Sequence, residues 1–166
     1  MEVEKRIAKA KTALILEHPF VGSVALNMPM KIDNNVPTAA TDGKRVLFNE
    51  DFCKELDDEE LKFLVAHECM HPMLEHNFRR GERDRYKWNQ AADYVINKLL
   101  TDEGIGKMPK QGLLDENIYQ AGGGTSDGIY NNLPDTPEDQ QGNGGQGQPL
   151  DSCEDGQGSP AEVYKR

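Results

Sequence analysis

His67-Glu68-Cys69-Met70-His71 lies inside the run from Glu60 to Phe78, which otherwise reads as one helix. Four residues advance an α-helix by about one turn, so both imidazoles leave the same face and can hold one Zn²⁺, with Glu68 beside a water carried by the metal. Zinc-assisted hydrolysis is the chemistry this predicts. The flanks agree with a helix. Asp57, Asp58, Glu59 and Glu60 offer an N-cap and negative charge to the positive end of the dipole, and Leu61, Leu64, Val65, Ala66 and Met70 offer apolar packing. Arg79 and Arg80 suit the far end, where cations are favoured, and Gly81 is a stop. Two unrelated histidines beside a stray glutamate would not require such a setting.

The chain of 166 residues is long enough for one domain, and its composition divides it. Residues 1–134 hold nearly all the aromatic and branched apolar side chains, and are expected to fold. Residues 135–166, rich in Gly, Gln, Pro, Asp and Glu, are expected to be a disordered tail or linker. Of the formal net charge of −10, the tail carries −5, seven acids against Lys165 and Arg166. An acidic domain with an acidic tail argues against phosphate-mediated binding of nucleic acid. Cys53, Cys69 and Cys153 are odd in number and show no Cys-x-x-Cys spacing, so no disulfide framework or thiolate zinc finger is indicated. Cys69 lies about 200° around the helix from His67, which makes it a packed thiol rather than a ligand. The N-terminus lacks signal-peptide architecture and no apolar stretch is long enough for a bilayer, so the expectation is a cytoplasmic protein with no membrane partner.

Val3, Ile7, Ala10 and Leu14 recur at helical spacing and predict an amphipathic first helix from Glu2 to Glu17, ended by His18-Pro19, with His18 as a capping or surface residue. Val24 to Ile32 and Arg45 to Phe48, bounded by turn signals, read as strands of a small sheet. Lys44 to Asn49, just before the motif helix, is the candidate edge for an extended substrate. A second helix is expected from Gln90 to about Leu100, capped by Asn89. Asp93 falls near Ile96 and Leu100 around that helix, at the edge of its buried face, and a buried charge needs a partner. Gly104 to Gly112 and Ala121 to Gly128 read as loops, with Ile129 to Leu133 a short docked element.

A catalytic zinc takes three protein ligands and leaves a position for water, so two histidines are one short. Asp93 and His76 compete for the third place. An inward carboxylate at Asp93 would be resolved by the metal; it could instead orient a histidine, or pair with Arg79 or Arg80. His76 lies about 140° from His71 on a continuous helix, but Pro72 removes a hydrogen bond and disfavours helical geometry at His71, so a kink or end there could swing His76 inward. Glu68 is the general base of this reading. Tyr86, Tyr94 and Arg79 are near the motif in sequence, and none is singled out as an oxyanion stabiliser.

Four stretches carry a resemblance to a known family: Thr41 to Asn49, His67 to His76 with Arg79 behind it, Trp88 to Asn97, and Gly128 to Pro134. In these the chain resembles the metallopeptidase domain that precedes von Willebrand factor A-like domains in bacterial and phage proteins. The resemblance implies an α+β, zincin-like fold, with the zinc helix packed under a small mixed sheet and further helices. It also carries Asp93 and Asn97 over as site residues. Pro72 departs from the family pattern, and no Asp-x-Ser-x-Ser motif of an A-like domain occurs. A stand-alone form, or one half of a system with an A-like or ATPase partner on a separate chain, is therefore expected.

The sequence thus predicts a zinc metallopeptidase acting on a peptide or protein substrate, with His67, His71 and Asp93 (or His76) on Zn²⁺ and Glu68 as base. The alternative is a zinc-stabilised binding module or adaptor without proteolytic activity; an intact Glu68 favours the enzyme.

Overall fold

A computed structural model describes residues 2–136 and the backbone of Ser152–Cys153. The first helix, α1 (Val3–Glu17), buries the expected stripe of Val3, Ile7, Ala10 and Leu14. Covering each of the larger of these side chains stabilises the fold by roughly 1.5–3 kcal/mol. His18 closes α1 through its backbone N–H to the Leu14 carbonyl and opens α2 (Pro19–Leu26), where Pro19 takes the first turn. Here the expected strand from Val24 to Ile32 is corrected, because its first part is helical. Proline at the start of a helix loses no hydrogen bond. Gly22 then lets the two helices touch, since a Cβ there would lie 2.4 Å from the Ile15 Cα.

Strand remains only at β1 (Met30–Ile32). It runs parallel to β3 (Val46–Phe48), with Met30 opposite Val46 and Ile32 opposite Phe48. β2 (Ala39–Thr41), a strand of small side chains not foreseen in the sequence, pairs antiparallel to β3. The connection is tight: Thr41 Oγ1 donates to the Arg45 carbonyl, Asp42 accepts from the Lys44 and Arg45 amides, and Gly43 takes a left-handed conformation. The strand order is β1-β3-β2-β4, the last being the backbone of Ser152–Cys153 parallel to β2. The edge expected at Lys44 to Asn49 is therefore an interior strand, β3, paired on both sides. β2 packs against the motif helix.

After α3 (Glu50–Glu55), capped by Asn49, comes the motif helix α4 (Asp58–Met73). Its start is a full capping box: Asp57 accepts from the Glu60 amide at 2.8 Å, and Glu60 accepts from the Asp57 amide at 3.1 Å. From Phe63 to Pro72 every residue is buried, so α4 is the central element of the core rather than an amphipathic surface helix. α1 and α2 cover one side of it and α6 another.

The single helix expected from Glu60 to Phe78 is broken. α4 passes through Pro72 and stops at Met73; Glu75 adopts left-handed φ of 62°, and a short α5 (His76–Arg79) follows. Next, α6 spans Arg85–Asp102, longer than the expected Gln90 to Leu100. Its cap is Asp84, which accepts from the Lys87 amide at 2.8 Å, while Asn89 is buried within the helix. A self-bonding carboxylate three residues before a free amide outcompetes a later asparagine for that place. One side of α6 sends Ile96 and Leu100 into the main core, and another packs Ala91 and Val95 with Ile129. The final described helices are α7 (Glu116–Ala121) and α8 (Ser126–Asn132). They occupy part of what read as loop, and α8 contains most of the expected short docked element.

The architecture is mixed α+β, as expected. Of the tail expected to be disordered, residues 137–151 and 154–166 lie outside the described residues.

Candidate metal centre

One turn of α4 separates His67 from His71, and their rings meet edge to face with centroids 5.0 Å apart. Both turn Nε2 toward α6, where Asp93 comes up between them. Asp93 Oδ1 lies 3.0 Å from His67 Nε2 and 3.6 Å from His71 Nε2. One ligand atom from each of the three lies within 4.8 Å of the others, and all three side chains are wholly buried.

The opposite nitrogens decide what this cluster wants. His67 Nδ1 stands 2.8 Å from Asn97 Oδ1, and the Asn97 amide nitrogen donates to the Leu113 carbonyl at 2.9 Å. That second bond fixes the asparagine's orientation, so its oxygen accepts and His67 carries its proton on Nδ1. The Nε2 lone pair then faces a carboxylate oxygen, two electron-rich atoms on wholly buried side chains. Something positive must stand between them, either a proton or a metal ion. A tetrahedral ion with bonds of about 2.0–2.1 Å holds neighbouring ligand atoms about 3.3 Å apart. The two separations bracket that value, so these residues fit a metal ion.

Helix breakage brings the fourth imidazole near. Left-handed Glu75 reverses the direction expected of a continuous helix, and the Trp88 indole donates to the His76 carbonyl at 3.0 Å. His76 Nδ1 thereby reaches 3.3 Å from His71 Nδ1, the nitrogen turned away from Asp93. Its Nε2 is 2.6 Å from Ser126 Oγ on α8. Pro72 does not end the helix at His71, as it could have done; the break falls after Met73, and the inward swing still occurs. His76 stands behind His71 and is not in the cluster of three with Asp93.

Glu68 is also wholly buried and lies outside that three-residue cluster. Its charge is felt inside the core. Burial pushes the Cys69 thiol up to about 12, with the Glu68 charge adding to the rise and Lys11 opposing it. The Cys53 thiol is pushed to about 12 by burial, against Arg6, with a further contribution from Glu68. Both are free packed thiols, as anticipated for Cys69.

Of the other residues considered from sequence, Arg79 pairs with Asp127 on α8 and faces the Trp88 ring, so it is not Asp93's partner. Arg83 joins the same carboxylate at 2.8 Å. Tyr94 is half-buried, and its hydroxyl is held above the usual range by burial first, then by the charges of Asp115 and Asp93. His18 caps helices far along the chain from the centre. Sequence reasoning missed Ser126 and the Leu113 carbonyl, which no local pattern marks.

An uncharacterized protein of Thermotoga maritima is 29% identical over 124 residues, which cover 70% of this chain and 31% of that relative. The chain therefore spans about a third of the relative it matches. No solved structure matches it. The family whose description reads Putative metallopeptidase domain matches residues 2–163, well beyond the stretch from Thr41 to Pro134 that carries the sequence resemblance, and it is to this family that the chain belongs.

Proposed function

We propose that the protein is a zinc-dependent peptidase with a zincin-like centre, in which His67, His71 and Asp93 hold the ion and Glu68 is the general base. The convergence of both Nε2 atoms on Asp93 Oδ1, with the His67 tautomer fixed by Asn97, is the observation that carries this reading. Two imidazoles and one carboxylate form a ligand set typical of catalytic zinc, whereas structural sites are commonly closed by four protein ligands. Bound there, Zn²⁺ would acidify a water and polarise a peptide carbonyl. Glu68, next to His67 on α4, is the residue that would accept that water's proton and pass it to the leaving amine. Asn97 holds the His67 ring in the tautomer that leaves Nε2 available. The substrate is a peptide or protein, and the family match over residues 2–163 supports that class. No helix among the described residues is long and apolar enough to cross a membrane. The setting proposed is the bacterial or phage-infected cytoplasm, with an A-like or ATPase partner on a separate chain.

A second reading, an ion that stabilises a binding module, has its own observation: His67, Glu68, His71 and Asp93 are all fully buried, and the Glu68 charge is sensed by two core thiols. Glu68→Gln separates the two. The enzyme reading expects one equivalent of zinc retained and peptide hydrolysis lost in that variant, read by metal analysis and a fluorogenic peptide library. Hydrolysis at the wild-type rate would remove Glu68 from its role, and wild-type protein that binds zinc yet cleaves nothing would establish the module.

A further inference from the structure

His71 has a support distinct from that of His67. Asn97 faces His67 Nδ1, whereas another imidazole, His76, faces His71 Nδ1 at 3.3 Å. His76 in turn reaches Ser126 Oγ at 2.6 Å, and both side chains are buried, at 1% and 4% exposure. We propose that His76 is a positioning residue for the metal centre, fixing the ring and tautomer of His71 through a relay that ends on Ser126 of α8. The inference rests on the reading that His67, His71 and Asp93 hold a divalent ion.

Proton placement follows from the ends of the relay. If His71 Nε2 offers its lone pair to the ion, its proton must sit on Nδ1, and the adjacent His76 Nδ1 must accept it. The His76 proton then lies on Nε2 and is donated to the serine hydroxyl. This assignment gives each of these contacts one donor and one acceptor and leaves both imidazoles neutral. A continuous helix could not build this, because it would aim His76 about 140° away from His71. The left-handed Glu75 and the Trp88 bond to the His76 carbonyl supply the required turn. The neighbouring Arg79 and Arg83 both pair with Asp127, the residue after Ser126, and so hold α8 against α5 where the relay crosses.

The test is zinc affinity by competition with a chromophoric chelator, alongside the Co²⁺ absorption spectrum and circular dichroism of the metal-free proteins. Wild type should bind one equivalent, and His71→Ala none at the same concentration. His76→Ala should keep one equivalent with affinity lowered about 10- to 100-fold. His76→Gln, whose side-chain carbonyl can accept the His71 proton, should recover most of that loss, and Ser126→Ala should weaken binding by a smaller factor. Rescue by glutamine distinguishes positioning from mere space filling, and Ser126→Ala carries the test if His76→Ala does not fold. Unchanged affinity in both His76→Ala and Ser126→Ala would overturn the inference while leaving the metal reading intact. Loss of the bound equivalent in a folded His76→Ala would make His76 a ligand and overturn it too. Wild type that binds no divalent ion would remove the metal reading, and this inference with it.

Discussion

Asp93→Asn changes one atom at the point where both imidazoles converge, and its consequences have opposite signs with and without metal. With zinc, the loss is large. Structural zinc sites with four ligands contribute about 10–16 kcal/mol, or roughly 2.5–4 kcal/mol per ligand, so exchanging the carboxylate for a weak amide donor should lower affinity on the order of 100-fold. At free zinc 100 times the wild-type Kd, binding stabilises the wild-type fold by about 2.7 kcal/mol, whereas the variant at the same concentration gains only about 0.4 kcal/mol. At about 2–4 °C per kcal/mol for a chain of this size, zinc should raise Tm by about 5–11 °C in wild type and by about 1–2 °C in the variant. Without metal the order changes. Asp93 is wholly buried and without metal needs a proton between it and His67, whereas an asparagine amide can donate to His67 Nε2 with no proton taken up, so the metal-free variant should melt at the wild-type temperature or above it. Thermal unfolding with a chelator and with buffered zinc reads both arms. Equal zinc-induced shifts in the two proteins would refute the assignment of Asp93, and a collapsed metal-free fold would show that its carboxylate serves packing instead.

Two further outcomes test the fold around the centre. Gly22→Ala places a methyl against the backbone of Ile15, 2.4 Å from its Cα, so α1 and α2 must separate and stability should fall by about 1–3 kcal/mol or more in urea denaturation; an unchanged midpoint would show that the helices do not touch there. The thiols of Cys53 and Cys69 are held near 12 against an ordinary 9.0, so the folded state keeps protons that the unfolded chain releases. Their contribution is therefore complete below pH 9 and lost as the pH rises toward 12, and Cys69→Ala should flatten part of that alkaline decline in the urea midpoint. Parallel pH profiles for the variant and wild type would contradict the burial argument.

Much of the centre was legible because it depends on helical periodicity. The spacing of His67 and His71, the acidic cap at Asp57 and the inward direction of Asp93 all follow from residues within one or two turns of each other. His76 was not so determined. Its position depends on a left-handed backbone at Glu75, a residue type with no special preference for that region, and on a bond from Trp88 twelve residues on. The apolar run after Pro19 was ambiguous for another reason: short buried helices and buried strands share the same composition, and the close approach at Gly22 that settles the matter belongs to tertiary packing. β2 is built of Ala39, Ala40 and Thr41, too small and too short a run to announce a strand. The edge expected for an extended substrate falls on neither strand, since β3 lies between β1 and β2, and β2 between β3 and β4.

The residues proposed to grip and brace an ion are spread along the chain: His67 and Asp93 are 26 positions apart, and His76 and Ser126 are 50 apart. During synthesis the motif helix therefore emerges carrying two imidazoles but neither the acid that completes the grip nor the hydroxyl that ends the brace. At ordinary elongation rates that interval is on the order of seconds. On the proposed reading a nascent chain would be a poor trap for metal over that time, and loading would belong to the last stage of folding, once α8 has docked.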